Sequence, residues 1–81
     1  MQKHILHFDE SKDLLVSYTI EPTDEIAAYT EYLVTLYVNG EETFSQNILA
    51  NDMDFVHYHA EIMYEDYNEY IKSWNQKKKK N

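Results

Sequence analysis

The chain of 81 residues carries fifteen acidic residues against seven lysines, contains neither arginine nor cysteine, and has a formal net charge of −8. So short a chain buries only about 60–65% of its unfolded surface, which excludes a second independent core, and without cysteine no disulfide or thiolate zinc site can supplement the one it has. The charge is segregated: all fifteen acids precede position 70 and only Lys3 and Lys12 oppose them through Ile71, a net −13 for that stretch, while the other five lysines occupy the last ten residues.

The N-terminal run Met1–Phe8 is short and mixed, without the basic and long apolar regions of a secretory signal, and no window approaches the roughly eighteen apolar residues of a membrane span. With the absence of cysteine, this predicts a cytoplasmic protein. Lys3–Phe8 and Asp13–Ile20 read as two strands joined by the polar turn Asp9-Glu10-Ser11-Lys12. In the second, Leu14, Val16, Tyr18 and Ile20 alternate with Leu15, Ser17 and Thr19, a period of two that places the larger apolar set on one face. Glu21-Pro22-Thr23-Asp24 predicts a break, because proline has no N–H to donate to a ladder. Tyr29–Val38 is again rich in β-branched and aromatic residues, and Asn39-Gly40 after it is a strong hairpin signal, since both central positions of a type I′ turn need positive φ. Glu41–Ile48 is the return strand.

After Ala50 the period changes. Asn51 can cap a helix, with Asp54 reaching back as in a capping box, and Phe55, His59, Ile62, Met63, Tyr70 and Trp74 share one broad face of a helix from about Asp52 to about Gln76. Lysines at its end suit the negative pole of the helix dipole. These segments predict an α+β domain over residues 1–76 and a lysine-rich flexible tail over 77–81. The domain is an antiparallel sheet of three to four strands, ordered hairpin, break, hairpin, with one long C-terminal helix packed on it.

The helix also carries the sharpest functional pattern. At about 100° per residue, Asp54, Glu61, Glu65 and Glu69 fall within a sector of roughly 80°, with about 6 Å of axial rise across each four-residue step. Like charges four residues apart destabilise a helix by about 0.2–0.5 kcal/mol per pair, so the row does not help the helix form. One reading is a line of carboxylates standing in for the phosphates of a nucleic-acid strand, with Tyr58 as an anchor. The other is a solvated face that keeps a small protein soluble. A body this negative repels nucleic acid and anionic membrane and attracts basic clefts.

Other clusters point less clearly to chemistry. Asp66 interrupts the expected apolar face beside Ile62, Met63 and Tyr70 and is expected at the edge of the core or bonded to a tyrosine hydroxyl. His57 and His59 diverge by about 200° on a helix, and His4 and His7, three apart on a strand, are expected on opposite faces. A metal site would have to combine His59 with a strand histidine and Asp66, and the expected metal and cofactor content is none. No nucleophile or acid–base motif is present, and a single glycine excludes a glycine-rich phosphate loop. The chain reads as a non-enzyme.

The segment Asn51-Asp52-Met53-Asp54-Phe55, continuing to Ile62-Met63, is similar to a stretch near the C-terminus of the staphylococcal type of uracil-DNA glycosylase inhibitor. The match covers about thirteen of the 81 residues; the first half of the chain has no counterpart, so neither contacts nor target carry over. More broadly, a small, acidic, cysteine-free, tyrosine-rich chain with terminal lysines resembles the inhibitors encoded by phages and other mobile elements, among them anti-CRISPR proteins and anti-restriction DNA mimics. That resemblance implies a stoichiometric inhibitor blocking a DNA-binding cleft. The expected partner is a basic nucleic-acid-binding protein such as a CRISPR effector nuclease, with a repair glycosylase second; the helical sector, not the resemblance, nominates Asp54, Tyr58, Glu61, Glu65 and Glu69 as the contact residues. An immunity protein or antitoxin neutralising a basic toxin obeys the same electrostatics, and a homodimer through helix pairing is an assembly the pattern allows.

Overall fold

The computed structural model describes residues 2–79, with side chains through residue 69. Four strands, β1 (His4–Asp9), β2 (Leu14–Ile26), β3 (Tyr29–Val38) and β4 (Glu41–Ala50), are followed by a single helix, α1 (Met53–Lys79). The strands form an antiparallel meander in the order β1-β2-β3-β4, and α1 packs on one face of it, an α+β fold. Lys77–Lys79 of the expected tail are helical in backbone, whereas their side chains and residues 80–81 lie outside the described residues.

Each turn follows from local chemistry. Between β1 and β2, Asp9 caps a single 3₁₀ turn (Glu10–Lys12) by accepting bonds from the Ser11 N–H at 3.1 Å and the Ser11 hydroxyl at 2.7 Å. Asn39 and Gly40 have φ of 52° and 83°, the two positive values that a type I′ hairpin requires. Asn39 also ties that hairpin to β2: its N–H donates to the Leu15 carbonyl and its side-chain oxygen accepts from the Leu15 N–H, both at 2.8 Å.

Pro22 does not end β2. The strand continues to Ile26, with a bulge between Pro22 and Asp24, and pairs with β3 from Val16↔Val38 to Ile26↔Tyr29. The expected order of hairpin, break, hairpin is therefore a continuous meander. Proline is tolerated there because β1 pairs with β2 only over Leu14–Tyr18, leaving β2 as a free edge at Pro22. Thr23, the bulged residue, donates its hydroxyl to the Glu31 carbonyl at 3.2 Å. At a second bulge, between Leu36 and Tyr37 on the β3–β4 pair, the Thr43 hydroxyl likewise donates to the Leu36 carbonyl at 3.1 Å.

The core lies between the sheet and α1. Val16, Tyr18, Val34, Leu36, Ile48 and Ala50 meet Val56, Ala60 and Met63, and the larger of these side chains each stabilise the fold by roughly 1.5–3 kcal/mol on burial. The period-two assignment of β2 holds: Val16 and Tyr18 face the helix while Ser17 and Thr19 lie on the other side.

The helix itself departs from expectation in two ways. Its cap is Asp52, whose carboxylate accepts from the Asp54 N–H at 3.1 Å, so neither Asn51 nor a reciprocal Asp54 side chain performs that role. Its buried stripe is Val56, Ala60, Met63 and the partly buried Tyr67, turned roughly 65° from the expected face. Small side chains at 56 and 60 let the helix backbone approach the sheet. Phe55, 47% exposed, stands to one side of that contact. Tyr70 and Trp74, also assigned to the face, have side chains outside the described residues. Among the described residues, no helix is long and apolar enough to cross a membrane.

Candidate functional site

The orientation of α1 decides what its acidic row can do. Val56, Ala60, Met63 and Tyr67 succeed one another by four, three and four residues and define the sheet-facing side. Asp54, Glu61, Glu65 and Glu69 centre roughly 165° away. All four are exposed, and Tyr58, in the same sector, is 58% exposed. The structure thus places the five predicted residues together on the solvent side of the helix. From Asp54 to Glu69 the row spans about 22 Å of helix axis at about 1.5 Å per residue.

Glu61 stands at the border of this surface, one turn beyond His57, and its charge reaches a second cluster. The Tyr18 hydroxyl lies 2.6 Å from His57 Nδ1. The His4 ring stacks on Tyr18 at 5.1 Å between centroids and meets the edge of the His57 ring at 5.0 Å. Burial, and secondarily the Glu61 carboxylate, pushes the Tyr18 phenol above its ordinary range. A neutral phenol can donate or accept, so the direction of this bond follows the His57 tautomer: with the ring proton on Nε2 the Tyr18 O–H donates to Nδ1, and with it on Nδ1 the ring N–H donates to the phenol oxygen. This bond ties the middle of β2 to the first turns of α1. Sequence spacing could not reveal it, because residues 18 and 57 meet only when the helix folds back over the sheet.

The same folding corrects the expectation for the strand histidines. A bulge between Ile5 and His7 inserts one residue into β1, so His4 pairs with Tyr18 and His7 with Val16, both on the helix side. The extra residue restores the parity that a spacing of three would otherwise break. His7 then stacks on Tyr64 at 5.9 Å. His59 lies on the other flank of α1, edge-on to Phe55 at 5.9 Å, with its Nδ1 buried and without a hydrogen-bond partner. His59 and Asp66 are therefore on the opposite side of the helix from His4 and His7, and the metal combination weighed from sequence is not assembled. Among the described residues, no group of three or more His, Asp or Glu is placed to hold a metal.

Asp66, which the sequence wheel set in the middle of the apolar face, is exposed at the core's edge because the buried stripe is turned away from it. With Thr43, Phe44 and Tyr67 it lines a cleft of ≈ 320 Å³ between α1 and β4. Sequence reasoning did not find this cleft. Its only signal was Phe44, a large apolar residue in an otherwise polar run from Glu41 to Asn47.

Compared with known proteins, the chain matches no family model, no curated sequence and no solved structure.

Proposed function

We propose that this protein is a non-enzymatic inhibitor that occupies the nucleic-acid-binding cleft of a DNA-handling enzyme in the host cytoplasm, in the manner of a phage anti-defence protein directed at a CRISPR effector nuclease. The observation that carries this reading is the exposed row Asp54, Glu61, Glu65 and Glu69, with Tyr58 among them, on the helix side opposite the core. Each four-residue step rises about 6 Å, close to two steps of a nucleic-acid strand at about 3.4 Å each. The row is unfavourable to the helix that carries it, since Glu61, Glu65 and Glu69 form two like-charged pairs at the spacing where repulsion is felt. A basic groove facing the row relieves that repulsion. A partly exposed tyrosine within it supplies contact area at low conformational cost.

The test is affinity capture from a host lysate, followed by competition. A nucleic-acid-handling protein should be retained at low salt, displaced by added DNA or RNA, and held more weakly as ionic strength rises, because exposed charges are screened over about 8 Å at physiological salt. Glu61→Lys, Glu65→Lys and Glu69→Lys together should abolish capture. Retention by the triple variant, or a captured partner indifferent to nucleic acid, would overturn the proposal.

A further inference from the structure

The two edges of the sheet are built differently. One edge consists of six-residue β1 and the unpaired half of β2; β1 is interrupted by a bulge, and β2 carries Pro22, a second bulge and the charges of Glu21, Asp24 and Glu25. Short strands, bulges, proline and charge are the devices that keep an edge from pairing with another chain. β4, the other edge, has ten residues, no proline and no lysine, and after Glu41 and Glu42 it has no charge through Ala50. Its only irregularity is the bulge at the Glu42 end. Alongside it run partly exposed Phe44 and Phe55 and the open cleft between β4 and α1.

We infer that β4 is a homodimer seam, pairing antiparallel with β4 of a second copy about a two-fold axis perpendicular to the sheet. The occupant is a second copy because the uncharged run Thr43–Ala50 can meet itself without opposing like charges and because the area suffices. Antiparallel pairing sends Glu41 and Glu42 of the two copies to opposite ends and brings the uncharged Thr43–Ala50 runs together. Directly opposed residues of an antiparallel ladder share a face, so the face of Phe44, Gln46 and Ile48 must meet itself and the axis passes through a residue. The registers that come nearest to full overlap of Thr43–Ala50 are centred on Gln46, pairing residues 42–50, or on Asn47, pairing residues 44–50.

The area is sufficient. Centred on Gln46, nine residues of each strand at about 3.4 Å give a seam roughly 31 Å long, and with the sheet and helix layers about 10 Å apart the profile is roughly 450–600 Å² per copy. Doubled, that reaches the lower range of specific interfaces, at about 1,200 Å² in total. The two helices come to lie side by side and antiparallel on one face of an eight-stranded sheet, with the cleft and its exposed Asp66 running beside the seam. This inference does not rest on the proposed function, although the dimer sets two antiparallel carboxylate rows on one surface.

Sedimentation equilibrium of the purified chain tests it directly. The expected mass is twice the 9.8 kDa of one chain. Gln46→Glu, and separately Phe44→Glu, should return the mass to that of one chain with an unchanged far-UV spectrum, since both side chains are exposed. Because the chain has no cysteine, Gln46→Cys and Asn47→Cys can be oxidised without competing thiols. Opposed Cα atoms about 4.5–5.5 Å apart lie within disulfide reach, so at least one of the two should cross-link quantitatively. A wild-type monomer at the highest soluble concentration would overturn the inference. So would a dimer that survives the β4 substitutions but dissociates with Ile5→Glu and Phe8→Glu on the opposite face of the sheet.

Discussion

Glu65→Lys separates the cost of the acidic row from its use. Glu65 is exposed in the middle of α1, four residues after Glu61 and four before Glu69, and thus takes part in two like-charged pairs. Each such pair costs about 0.2–0.5 kcal/mol, and an opposite-charge pair contributes about the same in the other direction, so a lysine at position 65 should stabilise the fold by about 0.8–2 kcal/mol at low ionic strength. The lower half of that range is expected. The new pair with Glu61 has the favourable order, acid before lysine, whereas the pair with Glu69 has the reverse and weaker one. In a domain of this size, about 1 kcal/mol shifts the thermal midpoint by about 4–8 °C. Thermal and urea denaturation at low and high salt should therefore show a stabilised variant whose advantage shrinks as salt screens the row. A loss of stability would refute the reasoning, because it would mean that Glu65 has a favourable partner within the folded chain, and so would a gain insensitive to salt, because it would not come from relieved charge repulsion. If the same variant also weakens capture of a nucleic-acid-handling protein, stability and binding move in opposite directions, a result that a purely solubilising face does not produce.

Met63→Ala removes the largest helix side chain from the centre of the sheet–helix contact, where Met63 is 1% exposed. It should cost about 2–5 kcal/mol in urea unfolding, and a loss below about 1 kcal/mol would mean that α1 does not dock on the sheet as described. Tyr18 supplies a pH prediction. Its folded-state pKa is raised by burial and Glu61, so its contribution to stability is fully present below the ordinary tyrosine value of about 10 and is lost as pH climbs from there through the folded value. Denaturation midpoints should fall across that alkaline window. Tyr18→Phe should flatten the dependence, and an unchanged slope would show that Tyr18 is not the group responsible.

Local pattern determined most of the elements. Alternation in Leu14–Ile20, the Asn39-Gly40 pair and the change of period after Ala50 each rest on interactions within a few residues, so β2, β3, β4 and α1 were legible without tertiary information. The acidic sector of α1 was legible for the same reason, since helix geometry alone sets which residues share a side. What the sequence could not settle was every feature that depends on a neighbour distant in the chain. Pro22 reads as a strand end until β1 is seen to stop pairing at Tyr18, leaving the missing N–H without consequence. His4 and His7 read as opposed until the bulge in β1 turns both toward the helix. The rotation of α1 depends on which side chains allow the closest approach to the sheet, and Val56 and Ala60 prevailed over the more hydrophobic-looking Phe55 and Ile62. Periodicity locates a face to within one or two positions; only packing against a particular sheet chooses among them, because burial free energy is gained at a surface that the helix sequence alone does not contain.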